Sequence, residues 1–123
     1  MAIPLVVAHR FLTEVVLGME IRPKTKIGPG LTIYHGFGIV LNDHCVLGRN
    51  VVLRNGVTIG HKEPGQGAPV IGDDVSLGVN SLVIGNITVG AGTSIGAGAV
   101  VLKSAPENAV LVGNPARDIS TRA

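Results

Sequence analysis

Every sixth position from 21 to 57 is apolar: Ile21, Ile27, Ile33, Ile39, Cys45, Val51 and Val57. After a break the ladder resumes at Ile71, Leu77, Val83, Val89, Ile95 and Val101. A period of six is a multiple of the strand repeat of two and does not fit the helical 3.6. Short strands of equal length between evenly spaced corners predict an all-β parallel solenoid of hexapeptide type. A companion column two residues on, Leu41, Leu47, Leu53 and Ile59, places both ends of each short strand in the core. Three hexapeptides per coil give a repeat of about 18 residues.

The step from Val57 to Ile71 breaks this register, and the intervening segment, His61 to Pro69, is polar and rich in Gly and Pro. It predicts a loop over 61–69 thrown out from the stack, and such loops often belong to the binding face. The repeat domain spans 19–105, after which Pro106 ends the pattern and 106–123 form a C-terminal tail. Ahead of the repeats, residues 2–17 are apolar, with Arg10 and Glu14 spaced i, i+4 and Gly18 as a stop. A short N-terminal helix within 1–18 follows, capping the open end that a solenoid must cover. The stretch is too short and too charged to span a bilayer, and it carries no signal-peptide pattern. Peripheral contact with a membrane would want a Lys/Arg-rich helix face.

Composition agrees with a narrow column. Among 123 residues there are two Phe, one Tyr and no Trp, too few for an ordinary aromatic core. The 18 Gly suit corners that need positive φ. Asn50, Asn55-Gly56, Asn80, Gly85-Asn86 and Gly92 fall at such places. Net charge is +2 with scattered Lys and Arg, so a nucleic-acid partner finds no clustered basic face. The single Cys allows no intrachain disulfide and suits a reducing, cytoplasmic setting. On the ladder itself, Cys45 reads as a buried, inert thiol.

Of the four His, His9 falls in the helix, where packing or surface explains it, and His44 in a corner-like Asn42-Asp43-His44 triplet. His61 opens the loop and is a candidate for substrate contact. His35 stands where later repeats carry Leu or Ile, and Gly36 and Gly38 follow it. Such a break of a local rule without structural gain marks a candidate functional residue, against the alternative of a satisfied structural His. With a coil of about 18 residues, Glu20 stacks near Gly38, within reach of the His35 ring. A carboxylate on one imidazole nitrogen leaves the other as acceptor, the logic of a base and its orienter. No close His pair supports a metal site, and Ser/His/Asp or Cys/His nucleophile signatures are missing.

The segments MEIRPKTKIGPGLTIYHGFGIVLN, VVLRNGVTIG, VIGDDVSLGVNSLVIGNITVGAGTSIGAGAVVL and LVGNPAR cover about four-fifths of the chain. Through them, residues 19–117 resemble the hexapeptide-repeat acyltransferases of left-handed β-helix fold, in the serine acetyltransferase branch. Colanic-acid-type exopolysaccharide acetyltransferases are the nearest likeness. The resemblance, and not the periodicity, implies left-handed coils, against the usual crossover preference. It also implies a homotrimer with active sites between subunits, acetyl-CoA as donor and no metal.

Carried over residue by residue, the resemblance makes His35 the general base and Glu20 its orienting carboxylate. Gly60, Gly78, Val79, Gly96 and Ala97 align with the track of the coenzyme's pantetheine arm, with Lys103 and Arg117 for its phosphates. Two departures separate the chain from serine acetyltransferases. Tyr34 replaces the Asp before the catalytic His, and Gly67-Ala68 replaces the Arg-His pair that holds the substrate carboxylate. Tyr34 offers a ring face and a hydroxyl, which suit a sugar.

The expected activity is therefore acetyl transfer to a hydroxyl of a sugar or polysaccharide precursor, with backbone N–H groups near Gly60 and His61 for the oxyanion. Serine acetylation, a non-catalytic scaffold and a zinc-dependent hydratase are the alternatives.

Overall fold

The computed structural model describes residues 3–12 and 18–120. Fourteen short parallel strands wind into a solenoid of about five coils with three sides. The first side stacks Glu20–Ile21, Val40–Leu41, Thr58–Gly60, Leu82–Ile84 and Val100–Val101. The second stacks Lys26–Ile27, Val46–Leu47, Val70–Ile71 and Thr88–Val89. The third stacks Thr32–Tyr34, Val52–Arg54, Ser76–Leu77, Ser94–Ile95 and Val110–Val112, then adds Arg117–Asp118 antiparallel to the last of these.

Each strand sends one aliphatic side chain inward: Leu41, Leu47, Leu53, Ile59, Ile71, Leu77, Val83, Val89, Ile95 and Val101 are all buried. Two residues ahead lies a second inward position, filled by Ile39, Cys45, Val51, Val57, Val75, Ser81, Thr93 and Ala99. Where that position is polar the hydroxyl is satisfied. Ser81 donates to the Gly78 carbonyl at 2.8 Å and Thr93 to the Pro106 carbonyl at 3.2 Å.

The coil length departs from a uniform 18. Ile21 pairs with Leu41, Ile27 with Leu47 and Ile33 with Leu53, so the first coil takes 20 residues. Ile21, Ile27 and Ile33 thus share a column with Leu41 and not with Ile39, which corrects the single ladder read from the sequence. Two extra residues enter at the corner His35–Gly38. Because positions i and i−2 are both inward, a slip of two leaves every apolar residue facing the core. The next insertion is larger: Leu47 pairs with Ile71 and Ile59 with Val83, coils of 24 that contain the loop 61–69. Later coils return to 18, as Val83 to Val101 does, until the last takes 16 from Ile95 to Leu111.

One boundary shifts. Parallel pairing continues past residue 105, since Ile95 pairs with Leu111, and Val110–Val112 belongs to the third side. Pro106 does not end the stack because its segment only turns the corner; the Thr93 hydroxyl binds its carbonyl. At the other end an α-helix spans Ile3–Arg10, and residues 13–17 of the expected helix lie outside the described residues. Its His9 Nε2 is 2.6 Å from the Ile21 carbonyl, which fastens the helix beside the first coil. Among the described residues no helix is long and apolar enough to cross a membrane.

Positive φ occurs at Asn50, Gly56, Asn80, Gly85 and Gly92, as the corner composition predicts, and at His35, His44, Asp74 and Asn108 besides. Side chains that hydrogen-bond locally tolerate this region best, which suits Asn and Asp. Cys45 is fully buried, and its thiol donates to the Ile59 carbonyl at 3.3 Å. Burial pushes its pKa up to about 11 from 9.0. Its thiolate fraction at neutral pH is then about a hundredfold below that of the unfolded chain. Reaction with an aromatic disulfide reagent is accordingly expected to track global unfolding, with a native-state rate lower by at least that factor. Fast native labelling at pH 8 would contradict the packing.

Candidate active site

The solenoid has three edges, and the corner at His35 lies on the one joining the third side to the first. Ile33 points inward from Thr32–Tyr34, leaving Thr32 and Tyr34 exposed on the outer face. The chain then turns through His35 with φ 53° and Gly38 with φ 77°. Elsewhere on this edge a single left-handed residue makes the turn: Gly56, Asn80 or Gly98. The two inserted residues thus supply an additional left-handed position, and His35 occupies it, exposed to solvent.

The corner is seated on the segment that carries Glu20. The Gly38 N–H donates to the Gly18 carbonyl at 2.8 Å, and the Glu20 N–H to the Ile39 carbonyl at 2.8 Å. A Cβ at Gly36 would come within 2.7 Å of the Met19 sulfur, so only glycine fits there without displacing Met19. Glu20 therefore lies beneath this corner, paired with Val40 and not near Gly38 as a uniform coil would have it. Its carboxylate lies 3.7 Å from Arg22, whose guanidinium is also 3.9 Å from Asp43. Among the described residues no hydrogen bond joins Glu20 to His35. The two share a corner, and the carboxylate is turned toward Arg22.

Gly78, Val79, Gly96 and Ala97 continue the same edge on higher coils. Gly78 packs so close to the coil above that a Cβ would lie 2.6 Å from the Ala97 nitrogen. The Gly98 N–H reaches back to the Val79 carbonyl at 2.8 Å. The result is a strip of backbone with almost no side chains. At the open top of the stack lies a groove of about 610 Å³, lined by Ala116 and Arg117 beside the third side and by Leu102, Lys103 and Pro106, which follow Val101 toward the edge that Gly60 opens. Two cations, Lys103 and Arg117, thus line a largely apolar groove. Its one acid, Asp118, is occupied: Oδ1 accepts from the Ser120 hydroxyl at 2.6 Å, the Ser120 N–H at 2.9 Å and the Val110 N–H at 3.2 Å. A phosphorylated, partly apolar molecule of pantetheine type fits that lining.

Gly60 and His61 are not on this edge. They follow Thr58–Gly60 on the first side and open the loop at the edge toward the second. Within one chain the structure therefore gathers His35, Glu20, Tyr34 and the small-residue strip along one edge, and leaves Gly60 and His61 on another. Among the described residues no three of His, Cys, Asp and Glu come together as a metal cluster.

One residue of this region escaped the sequence reading. Arg54 is the register partner of Tyr34 on the next coil, and its guanidinium carbon sits 4.8 Å from the Tyr34 ring centroid. Nothing in the sequence marks it, because only the register that sets Leu53-Arg54 on Ile33-Tyr34 brings the two side chains together.

Comparison with known proteins agrees with this architecture. The family described as bacterial transferase hexapeptide (six repeats) matches residues 68–103. The "Putative colanic acid biosynthesis acetyltransferase WcaB" of Escherichia coli K12 is 44% identical over 117 residues, covering 94% of this chain and 72% of that protein. The chain belongs to the hexapeptide-repeat acetyltransferases.

Solved structures place it near one branch of that family. Serine acetyltransferase from Neisseria gonorrhoeae superposes with a TM-score of 0.89 at 37% identity, over 95% of this chain and 46% of that one. Brucella abortus serine acetyltransferase, solved in complex with coenzyme A, gives 0.84 at 37% identity, over 87% and 44%. The chain thus spans about half the length of the serine acetyltransferases it matches. The resemblance read from the repeats and the VGNPAR segment holds.

The three hydrogen bonds at Asp118, led by the Ser120 hydroxyl, hold its carboxyl below the usual carboxylate range. A depressed folded pKa gives stability that is present above the unfolded value and lost as pH falls through the folded one. Amide protection at Val110 and Ser120 is expected to persist at neutral pH and to fall once the solution is acid enough to protonate Asp118. In Asp118→Ala that protection is lost already at pH 7. Hydrogen exchange read residue by residue checks both.

Proposed function

We propose that the chain is an acetyl-CoA-dependent O-acetyltransferase that acts in the cytoplasm on a hydroxyl of a sugar or polysaccharide precursor, with His35 as general base. The observation that carries this reading is the extra left-handed corner. It holds an imidazole in solvent at the foot of an edge whose higher coils carry Gly78, Val79, Gly96 and Ala97, below the groove that Lys103 and Arg117 line at the top of the stack. Nothing in the core requires a His at that place.

In this scheme Gly78, Val79, Gly96 and Ala97 bind the extended arm of acetyl-CoA, and Lys103 and Arg117 bind its phosphates. The bound thioester supplies an activated acyl group. An imidazole nitrogen of His35 accepts the proton of the acceptor hydroxyl as its oxygen becomes nucleophilic. Glu20, on the segment directly beneath, leaves Arg22 for the imidazolium that forms, and so orients the ring and offsets its charge. The N–H of His61, at the head of the loop, is the donor for the oxyanion.

The two-edge distribution supports a homotrimer. One edge of a three-sided solenoid carries the base and another carries His61, so one chain alone does not bring them together. A rotationally symmetric assembly sets the first edge of each copy against the second edge of its neighbour, and three such contacts close.

Acceptor chemistry favours a sugar. Tyr34 and Gly67-Ala68 stand where serine acetyltransferases carry the charged handles for an amino acid. Serine acetylation is the second reading, favoured by the solved structures that the chain resembles. A thiol-release assay with sugars and L-serine separates them, and a clear preference for L-serine would remove the sugar reading.

His35→Ala is expected to lower kcat by about 10²–10⁴-fold, the usual contribution of a positioned base, with the assembly intact by light scattering. Glu20→Gln leaves the base in place and loses less. Full activity in His35→Ala would refute the assignment. Co-expression of His35→Ala with His61→Pro, which removes the N–H donor, tests the shared site. Random trimers place a sound base against a sound loop in about a quarter of the interfaces, so activity should return well above either variant alone. No recovery would mean that each site is built by a single chain.

A further inference from the structure

We propose that Arg54 is the anion anchor of the acceptor site, so that the hydroxyl acetylated belongs to an acidic sugar. This rests on the sugar reading above and names the kind of sugar. Tyr34 directly precedes His35, and Arg54 lies over its ring at 4.8 Å, one coil up. The stack therefore holds a guanidinium beside the corner that carries the base.

The chemistry of that guanidinium is incomplete. Contact with a ring face engages its charge but leaves its N–H fork without acceptors. Among the described residues Arg54 has no ion pair and no hydrogen bond. Arg22 provides the contrast, with Glu20 at 3.7 Å and Asp43 at 3.9 Å. The strands on either side of Val52–Arg54 bring no acid: Thr32 and Tyr34 stand on one, Ser76 and Leu77 on the other. A planar fork of five donors, held against an aromatic ring and lacking a carboxylate partner, matches the bidentate oxygens of a carboxylate or phosphate. Arg54 also covers one face of Tyr34, which leaves the other face and the hydroxyl to the acceptor. The acceptor group that pairs with Arg54 is an oxygen acid, either the carboxylate of a uronate or the phosphate of an activated sugar.

The experiment measures thiol release by the full chain with methyl β-D-glucuronide, glucose 1-phosphate, methyl β-D-glucoside and L-serine. It is repeated on Arg54→Gln and Arg54→Lys. One or both acidic sugars should exceed the glucoside in kcat/KM by roughly tenfold or more, the scale of a hydrogen-bonded charge pair. The one preferred identifies the carboxylate or the phosphate source. Arg54→Gln should remove most of that ratio through KM. Arg54→Lys should keep an intermediate ratio, because it retains the charge without the fork. Equal use of the glucoside, or a ratio unmoved in Arg54→Gln, overturns the anchor while sugar acetylation stands. Acetylation of L-serine alone overturns both. Dissociation of the assembly in Arg54→Gln and Arg54→Lys assigns the cation to a contact between copies and also overturns the anchor.

Discussion

The constraint on which the structure depends is that every strand contributes two inward positions, i and i−2, to one aliphatic column. Parallel pairing fixes the height of each coil, and burial fixes which alternate residues face in. Nothing in either requirement fixes how many residues a corner contains, provided that the count changes by an even number. A corner longer by two exchanges position i for i−2 without exposing an apolar side chain. One longer by six inserts a hexapeptide's length of loop. Both kinds of insertion occur here, at 35–38 and within 61–69, while the buried column from Ile39 to Leu111 continues through them. The core is therefore indifferent to the places where chemistry is added.

That indifference explains which parts were legible in the sequence. The solenoid could be read because its signal is a long repeat with thirteen independent positions. The slip of two at His35 could not, because the same tolerance that lets the core accept it hides it from any apolar count. An assumed coil of 18 consequently set Glu20 under Gly38 when it lies under Val40. Their neighbourhood survived the error only because Gly18–Glu20 and Gly38–Val40 are continuous segments stacked on each other. The end of the stack was misread for a related reason. Val110 and Leu111 sit at a spacing of 16 from Ser94 and Ile95, outside the six-residue ladder, and only their pairing reveals them as a coil.

The site was legible to a different degree. His35 was singled out as a polar residue at an apolar position, but the pairing of Ile33 with Leu53 sets it level with Asn55 at a corner, so that premise fails; the strip and groove residues came from family likeness. Arg54 gave no such signal. An outward-facing Arg on a strand is ordinary in a sequence, and what distinguishes it is the ring beneath and the absence of a carboxylate beside it. Both are properties of neighbours 20 residues away, which the register Tyr34–Arg54 alone supplies.

The location of His35 raises a question of local stability that the fold answers. A solenoid is nearly one-dimensional, so each coil is held only by its neighbours and the terminal ones open most readily. The His35 corner belongs to the first coil, where Ile27 is still 38% exposed while its counterpart Leu47 is 2% exposed. A left-handed non-glycine corner adds a cost of order 1–3 kcal/mol at that weak end. Three contacts work against opening: the Gly38–Gly18 and Glu20–Ile39 hydrogen bonds, and Gly36 packed on Met19. They tie the corner to Gly18–Glu20 and so to the strand Glu20–Ile21. Among the described residues no coil lies below that strand, and the N-terminal helix touches it through His9 and the Ile21 carbonyl. None of the residues of Ile3–Arg10 is buried, so the helix meets the stack by contact and not by packing. The His9 contact ties the helix to the strand on which the His35 corner rests.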